Sequence, residues 1–160
     1  MNENIIIRKY RPGEPSLVCY FYYKLFADMY GFNGTFEKYF IRGMVDLWDD
    51  MEGNNLWITE KDGKIVGCIA IISRGIGEAQ LRWFGVSTDA QGNGLGTKLI
   101  STAMQFCKDK GYKHVILWTV DISKSARHIY EKFGFAMTET KVNTEWADHP
   151  LLEEKWEYRE

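Results

Sequence analysis

A β-rich run from Leu81 to Val86 passes into three alternate glycines, Gly92, Gly94 and Gly96, and an amphipathic helix begins at once. No other feature constrains the chain so tightly. A strand, a glycine-rich turn and a helix N-terminus together build an anion site. The glycines let backbone N–H groups crowd toward one point, and the helix dipole adds roughly half a positive charge there. A diphosphate is the usual occupant. Two common phosphate loops are excluded by spacing. A Walker A loop needs Gly-Lys-Ser/Thr, and here Gly96 is followed by Thr97 and Lys98. A dinucleotide fingerprint needs a third glycine where Thr97 stands, and it comes early in a chain rather than past its middle. The pattern that remains is Gln91-x-x-Gly94-x-Gly96.

A second motif follows. Residues 126–135 read Ala-Arg-His-Ile-Tyr-Glu-Lys-Phe-Gly-Phe. Between the motifs, Leu95, Leu99, Ala103, Phe106 and Cys107 recur at helical spacing, and Lys110-Gly111 supplies a cation and a stop. His114 to Val120 is a short run suited to a buried strand. In this order the two motifs resemble the GNAT superfamily of N-acetyltransferases. The first is similar to its coenzyme A pyrophosphate loop, Arg/Gln-x-x-Gly-x-Gly/Ala. The second is similar to its Ala-x-x-x-Tyr-x-x-x-Gly-Phe segment. A narrower likeness is to acetyltransferase domains fused behind MarR-type regulators. It is carried by Ile7-Arg8, Arg11-Pro12-Gly13-Glu14, Tyr30-Gly31, Ile65-Val66-Gly67, Leu81-Arg82, Leu117-Trp118-Thr119 and Trp156-Glu157, with the regulator half expected to be absent.

Bulk properties bound the class of protein. At 160 residues the chain is long enough for one sizeable core, and one acetyltransferase domain over 1–160 is expected. A 45% hydrophobic share with 15% aromatics excludes a disordered chain. A net charge of −2 gives no field to attract nucleic acid. The longest apolar run, Cys68 to Ile72, is too short for a membrane span, and Met-Asn-Glu-Asn lacks a signal-peptide layout. Cys19, Cys68 and Cys107 have no metal or redox spacing and point to thiols in a reducing, cytoplasmic setting.

The pattern predicts a strand at Ile5–Tyr10, helices over 16–30 and 35–52 split by Gly31-Phe32-Asn33-Gly34, and strands at Leu56–Lys61 and Lys64–Ser73 around an Asp62-Gly63 hairpin. A strand over Ala79–Ser87, the glycine loop, helix, strand and helix follow, then strands at Ala136–Thr144 and Leu152–Tyr158. The expected fold is α/β: a mixed, mostly antiparallel sheet of about seven strands flanked by four helices, in the order β-α-α-β-β-β-α-β-α-β-β. The resemblance implies the same order.

The resemblance also assigns roles. Acetyl-CoA would be the acetyl donor, its diphosphate on Gln91, Gly92, Asn93, Gly94, Leu95, Gly96 and Thr97. Its pantetheine amides would pair with a bulged strand at Phe84, Gly85 and Val86, Gly85 being the expected bulge residue. Ser123 and Ala126 would touch the same arm, although the family often has Asn where Ser123 stands. Tyr130 would be the general acid for the leaving thiolate; its ordinary pKa near ~10 suits that transfer. The plainer reading of Tyr130 is a core aromatic beside Ile129 and Phe133. Many members place a basic Glu six residues before the equivalent of Val86, but here that residue is Gln80. Glu78, on the same strand face, is the local candidate, with an exposed strand-end carboxylate as the plainer reading and a water chain as a third route. Tyr30, Phe32, Trp146 and His149 are candidates for the acceptor wall, and no His pair has metal-ligand spacing.

These residues favour direct transfer to a primary amine, a small molecule rather than a nucleic acid or a membrane component. The resemblance admits a homodimer. Two alternatives stay open: a non-catalytic acyl-CoA-binding sensor, and a protein lysine or N-terminal acetyltransferase.

Overall fold

The computed structural model describes residues 5–160. The N-terminal stretch Met-Asn-Glu-Asn, considered above for a leader, lies outside them. The strands are β1 (Ile7–Lys9), β2 (Asn55–Lys61), β3 (Lys64–Gly75), β4 (Glu78–Val86), β5 (His114–Val120), β6 (Ala136–Asn143) and β7 (Leu151–Arg159). The helices are α1 (Glu14–Tyr30), α2 (Gly34–Met44), α3 (Leu95–Lys110) and α4 (Lys124–Lys132). The architecture is therefore the mixed α/β one the sequence predicts, with the same order of elements. The sheet runs β1-β2-β3-β4-β5-β7-β6. Neighbours are antiparallel except β4 and β5.

Alternation along the central strands sends side chains into two cores. Leu56, Ile58, Cys68, Ala70 and Ile72 pack with Val18 of α1 and Phe40 and Met44 of α2. Trp57, Ile69, Ile71 and Leu81 pack with Leu99, Ile100 and Ala103 of α3. A one-residue slip would exchange the two sets, and each fully buried Leu or Ile contributes roughly 1.5–3 kcal/mol, so the register is fixed. The Asp62-Gly63 hairpin turn forms as expected, with both residues at positive φ (53° and 76°).

The second helix stops earlier than its periodicity suggests. It ends at Met44 and tightens into a 3₁₀ turn over Val45–Trp48. Asn54 explains this: its Nδ2 donates to the Asp46 carbonyl at 3.0 Å, and the Asp49 N–H also turns back to Asp46. These bonds compete with continuation of the helix.

Two irregularities of β4 shape the site. It pairs with β5 only through Glu78–Gln80 against His114–Ile116, which leaves Leu81–Val86 without a ladder partner on that side. The expected bulge is present but displaced. The β3–β4 register jumps between Ala70↔Arg82 and Cys68↔Gly85, and Trp83 takes φ 52°. Gly85 is regularly paired, and its lack of a side chain answers close packing instead: a Cβ there would lie 3.1 Å from Leu25 Cδ2.

Candidate functional site

The glycine loop closes onto the N-terminus of α3. Gly92 and Gly94 have φ of 87° and 75°, and a Cβ at either would meet nothing within 4 Å. Backbone conformation, not crowding, requires glycine there. Gln91 Nε2 donates to the Val86 carbonyl at 3.0 Å and braces the loop against the end of β4. The first N–H groups of α3 have no partner within the helix, and Leu95, Gly96 and Thr97 line a cavity of about 370 Å³. Eleven of the twelve residues expected to hold the donor, Phe84, Gly85, Val86, Gln91, Gly92, Gly94, Leu95, Gly96, Thr97, Ser123 and Ala126, line this cavity; Asn93 does not. The open loop, free helix N–H groups and unpaired strand edge fit a molecule bearing a diphosphate followed by amides.

A smaller, deeper cavity of about 100 Å³ adjoins it. Its wall is aromatic: Tyr22 and Phe26 from α1, Phe36, Tyr39 and Phe40 from α2, Phe32 from the turn between them, and Trp83, Trp118 and Trp146 from the sheet side. Asn33 fixes the α1–α2 turn and the β6–β7 loop together. Its Oδ1 caps α2 by accepting from Thr35 N–H at 3.0 Å, its Nδ2 donates to the Glu145 carbonyl at 2.8 Å, and its N–H donates to the Trp146 carbonyl. Phe26, Phe84, Ser123 and Ala126 line both cavities, so the two meet where β4 and β5 part.

Tyr130 lines the smaller cavity at this junction, buried among Phe84, Phe135 and Trp156. Desolvation pushes its phenol well above the ordinary range, so it carries its proton throughout the neutral range. Ser123 precedes α4, is buried, and donates from Oγ to the Tyr30 hydroxyl at 3.4 Å. Helix α4 is itself anchored: Arg127 Nε donates to Glu154 Oε1 at 2.9 Å, and Trp156 Nε1 donates to the same carboxylate.

Not every expected residue arrives. Glu78 sits at the paired end of β4, 57% exposed and 3.6 Å from His114, and lines neither cavity. The carboxylate expected to act as the base is therefore not among the residues that line the junction. Gln80 does line the smaller cavity and accepts from Arg74 Nε at 2.9 Å. His149, expected at the acceptor wall, is exposed, 2.9 Å from Asp148, and lines neither cavity. Phe32 and Trp146 line the smaller cavity, whereas Tyr30 lines the larger one.

Sequence reasoning missed Leu25, Met29, Ser125 and Ile129 of the larger cavity, and Tyr22, Phe36, Tyr39, Phe40, Arg82, Trp83, Trp118 and Glu153 of the smaller. A usable signal existed in the repeats Tyr22-Phe26-Tyr30 and Phe32-Phe36-Phe40, which set aromatics on one face of each helix. Among the described residues no helix is long and apolar enough to cross a membrane.

Comparison with known proteins gives a consistent result. The model of the acetyltransferase (GNAT) family matches residues 20–135. Human N-acetyltransferase 8B is 32% identical over 100 residues, covering 59% of this chain and 44% of that protein. The probable N-acetyltransferase camello of Xenopus tropicalis is 27% identical over 126 residues, covering 76% of this chain and 56% of its own. The chain thus spans about half the length of these relatives. Among solved structures, a GNAT-family acetyltransferase from Staphylococcus aureus Mu50 superposes with a TM-score of 0.78 over 97% of this chain and 98% of that one, at 16% identity. A putative streptothricin acetyltransferase from Bacillus anthracis, solved in complex with acetyl coenzyme A, gives a TM-score of 0.58 at 20% identity, covering 68% and 64%.

Proposed function

Because this chain belongs to the GNAT acetyltransferase family, we propose that it is an acetyl-CoA-dependent N-acetyltransferase that acetylates a primary amine of a small molecule by direct attack. One observation carries the reading. A glycine-lined cavity at a helix N-terminus and an aromatic cavity open onto each other beside Tyr130. The acetyl-CoA bound in the Bacillus anthracis structure supports the identity of the donor.

When bound, acetyl-CoA supplies a thioester to be cleaved. Gly92, Gly94 and the first turn of α3 hold the diphosphate, and Gln91 keeps the loop in place. The unpaired edge of β4 pairs with the amides of the arm, and its N–H groups near Phe84 stabilise negative charge developing on the acyl oxygen. The aromatic wall excludes water and orients the acceptor so that its nitrogen meets the acyl carbon. As the C–N bond forms and the C–S bond breaks, Tyr130 donates its proton toward the sulfur. Its raised pKa is not an obstacle, because the same dry surroundings also raise the proton affinity of the thiolate. The amine's own proton leaves through the mouth of the cavity, and an equivalent proton from solvent restores the Tyr130 phenol after the thiol departs.

The volume of the aromatic cavity, about 100 Å³, supports a small acceptor over an extended peptide. Three unpaired cysteines support a reducing, cytoplasmic setting. A single acetyltransferase domain over 1–160 and the narrower kinship with MarR-fused acetyltransferases are part of the same proposal, the latter resting on the short sequence matches already quoted. Calorimetry with acetyl-CoA, followed by thiol release across a panel of amines, tests it. Binding with amine-dependent thiol release is expected. Absence of binding, or binding with no amine supporting release, would overturn it.

A further inference from the structure

The lining of the aromatic cavity contains one basic and one acidic side chain, Arg82 and Glu153. Both are largely buried: the Arg82 side chain is 11% exposed and Glu153 is 6%. They make no ion pair with each other. Glu153 Oε2 accepts from Asn143 Nδ2 at 3.2 Å and lies 3.9 Å from Lys141 Nζ. Arg82 is less well served. Its nearest carboxylate, Asp46, is 3.6 Å away, and the guanidinium makes no hydrogen bond among the described residues. It lies instead over the faces of Tyr39 and Trp83, 5.9 and 5.3 Å from the ring centroids. The adjacent Trp83 indole N–H is buried and also without a partner. A planar cation with unused donors, enclosed by aromatic faces, is built to receive a carboxylate. The Trp83 N–H is a buried orphan donor, while Arg82 is held only by the ion pair with Asp46 at 3.6 Å and keeps its hydrogen-bonding capacity for a ligand group.

Room for Arg82 is provided by α2. A Cβ on Gly43 would fall 2.5 Å from one guanidinium nitrogen, so the absence of a side chain at 43 lets Arg82 pass beneath the helix.

The geometry points to an acceptor that carries a carboxylate as well as its amine: an amino-acid-like zwitterion with an apolar body, its carboxylate on Arg82 and its ammonium drawn to Glu153. This rests on the acetyltransferase reading and narrows it. An acceptor lacking the carboxylate leaves the guanidinium with Asp46 alone, at 3.6 Å and without a hydrogen bond among the described residues, whereas the aromatic wall accepts the apolar body of either kind.

The test compares phenylalanine, leucine and methionine with their decarboxylated amines, using thiol release from acetyl-CoA and correcting for the free-base fraction of each amine. In at least one pair, kcat/KM for the amino acid should exceed that of its amine by about tenfold or more, the usual scale for a charge-assisted hydrogen bond. Arg82→Met should bring that ratio to near one, and Arg82→Lys should restore part of it. Gly43→Ala should lower the same ratio by displacing the guanidinium. Glu153→Gln should raise KM for both members of a pair alike and leave the ratio standing. Quenching of tryptophan fluorescence by the N-acetylated products gives a binding readout independent of turnover, and the acidic product should bind more tightly to the parent only. Equal or better use of the decarboxylated amine in every pair, no reaction of any pair while other amines react, or a ratio unmoved in folded Arg82→Met would overturn the inference. In each of those cases acetyl-CoA binding and amine-dependent thiol release would still stand, so the broader proposal fails separately.

Discussion

Replacing Arg127 by Met tests whether the buried carboxylate behind α4 holds that helix in place. Glu154 is 1% exposed and receives Arg127 on one side and the Trp156 indole N–H on the other. Removing one partner of a buried pair typically costs roughly 3–5 kcal/mol, because a charge is left without compensation. Two features lower that here. The Arg127 side chain is 34% exposed, so water enters where it leaves, and the Trp156 bond at 3.2 Å remains. A loss of about 2–3 kcal/mol is expected, at or just below the bottom of that range. For a chain of this size about 1 kcal/mol corresponds to 2–4 °C, so Tm should fall by about 5–10 °C. Thermal unfolding followed by circular dichroism measures this directly. Adding Glu154→Gln to Arg127→Met should recover about half of the loss, since a neutral amide still accepts from Trp156 and no longer needs a cation. A fall of less than about 2 °C, or strictly additive effects in the double variant, would refute the claim that this pair is energetically coupled.

Four further outcomes are expected. Gly94→Asp places a side chain at φ 75° and a negative charge in the diphosphate cradle, so calorimetry should show acetyl-CoA affinity reduced at least about a hundredfold. Tyr130→Phe should keep that affinity and lower kcat on the order of a hundredfold, and parental turnover would assign Tyr130 to packing alone. Glu78→Gln should leave kcat/KM within about twofold across pH 6–9, because its carboxylate lies outside both cavities; a loss concentrated at low pH would restore it as the base. Glu14 is held down to a pKa of about 2, first by its hydrogen bonds with Arg8 and then by the Arg11 N–H. A depressed folded pKa means its contribution is present above the ordinary carboxylate range and is lost as pH falls from about 4.5 toward 2. Arg8→Met should therefore be less stable than the parent at pH 6, and the gap in Tm should close across that window.

The two motifs were legible in the sequence because each is local. Gln91 to Thr97 and Ala126 to Phe135 carry their geometry in their own spacing, and the structure sets both beside one cavity system. The aromatic cavity was not legible, since Phe32, Phe36 and Phe40 at helical spacing describe a core face equally well, and they serve as core and cavity wall together. The strand expected at Leu152–Tyr158 carries Glu153-Glu154-Lys155, a pattern that gives no sign of burial. Its two carboxylates are instead buried on opposite faces, one toward the cavity and one beneath α4, because β7 lies inside the sheet between β5 and β6. The bulge moved from Gly85 to Trp83 for a similar reason. Single-residue preference disfavours a tryptophan at positive φ, and only the packing on both sides of the sheet enforces it.

That bulge makes β4 a strand of two parities. Up to Arg82, even-numbered residues look toward α1 and α2: Gln80 and Arg82 line the aromatic cavity, while Ala79 and Leu81 belong to the α3 core. Past Trp83 the count reverses, with Gly85 against Leu25 and Tyr22 of α1, and Phe84 and Val86 on the α3 and α4 side. One unpaired residue thus lets a single strand offer the Arg82 side chain to the aromatic cavity and its free edge to the glycine-lined one, in different halves of the molecule. Length through this segment is consequently quantised. Loss of one residue would restore uniform alternation and turn Phe84 away from Tyr130, and gain of one would do the same. Substitutions here can be absorbed side chain by side chain, whereas insertions and deletions must come in twos to be tolerated at all.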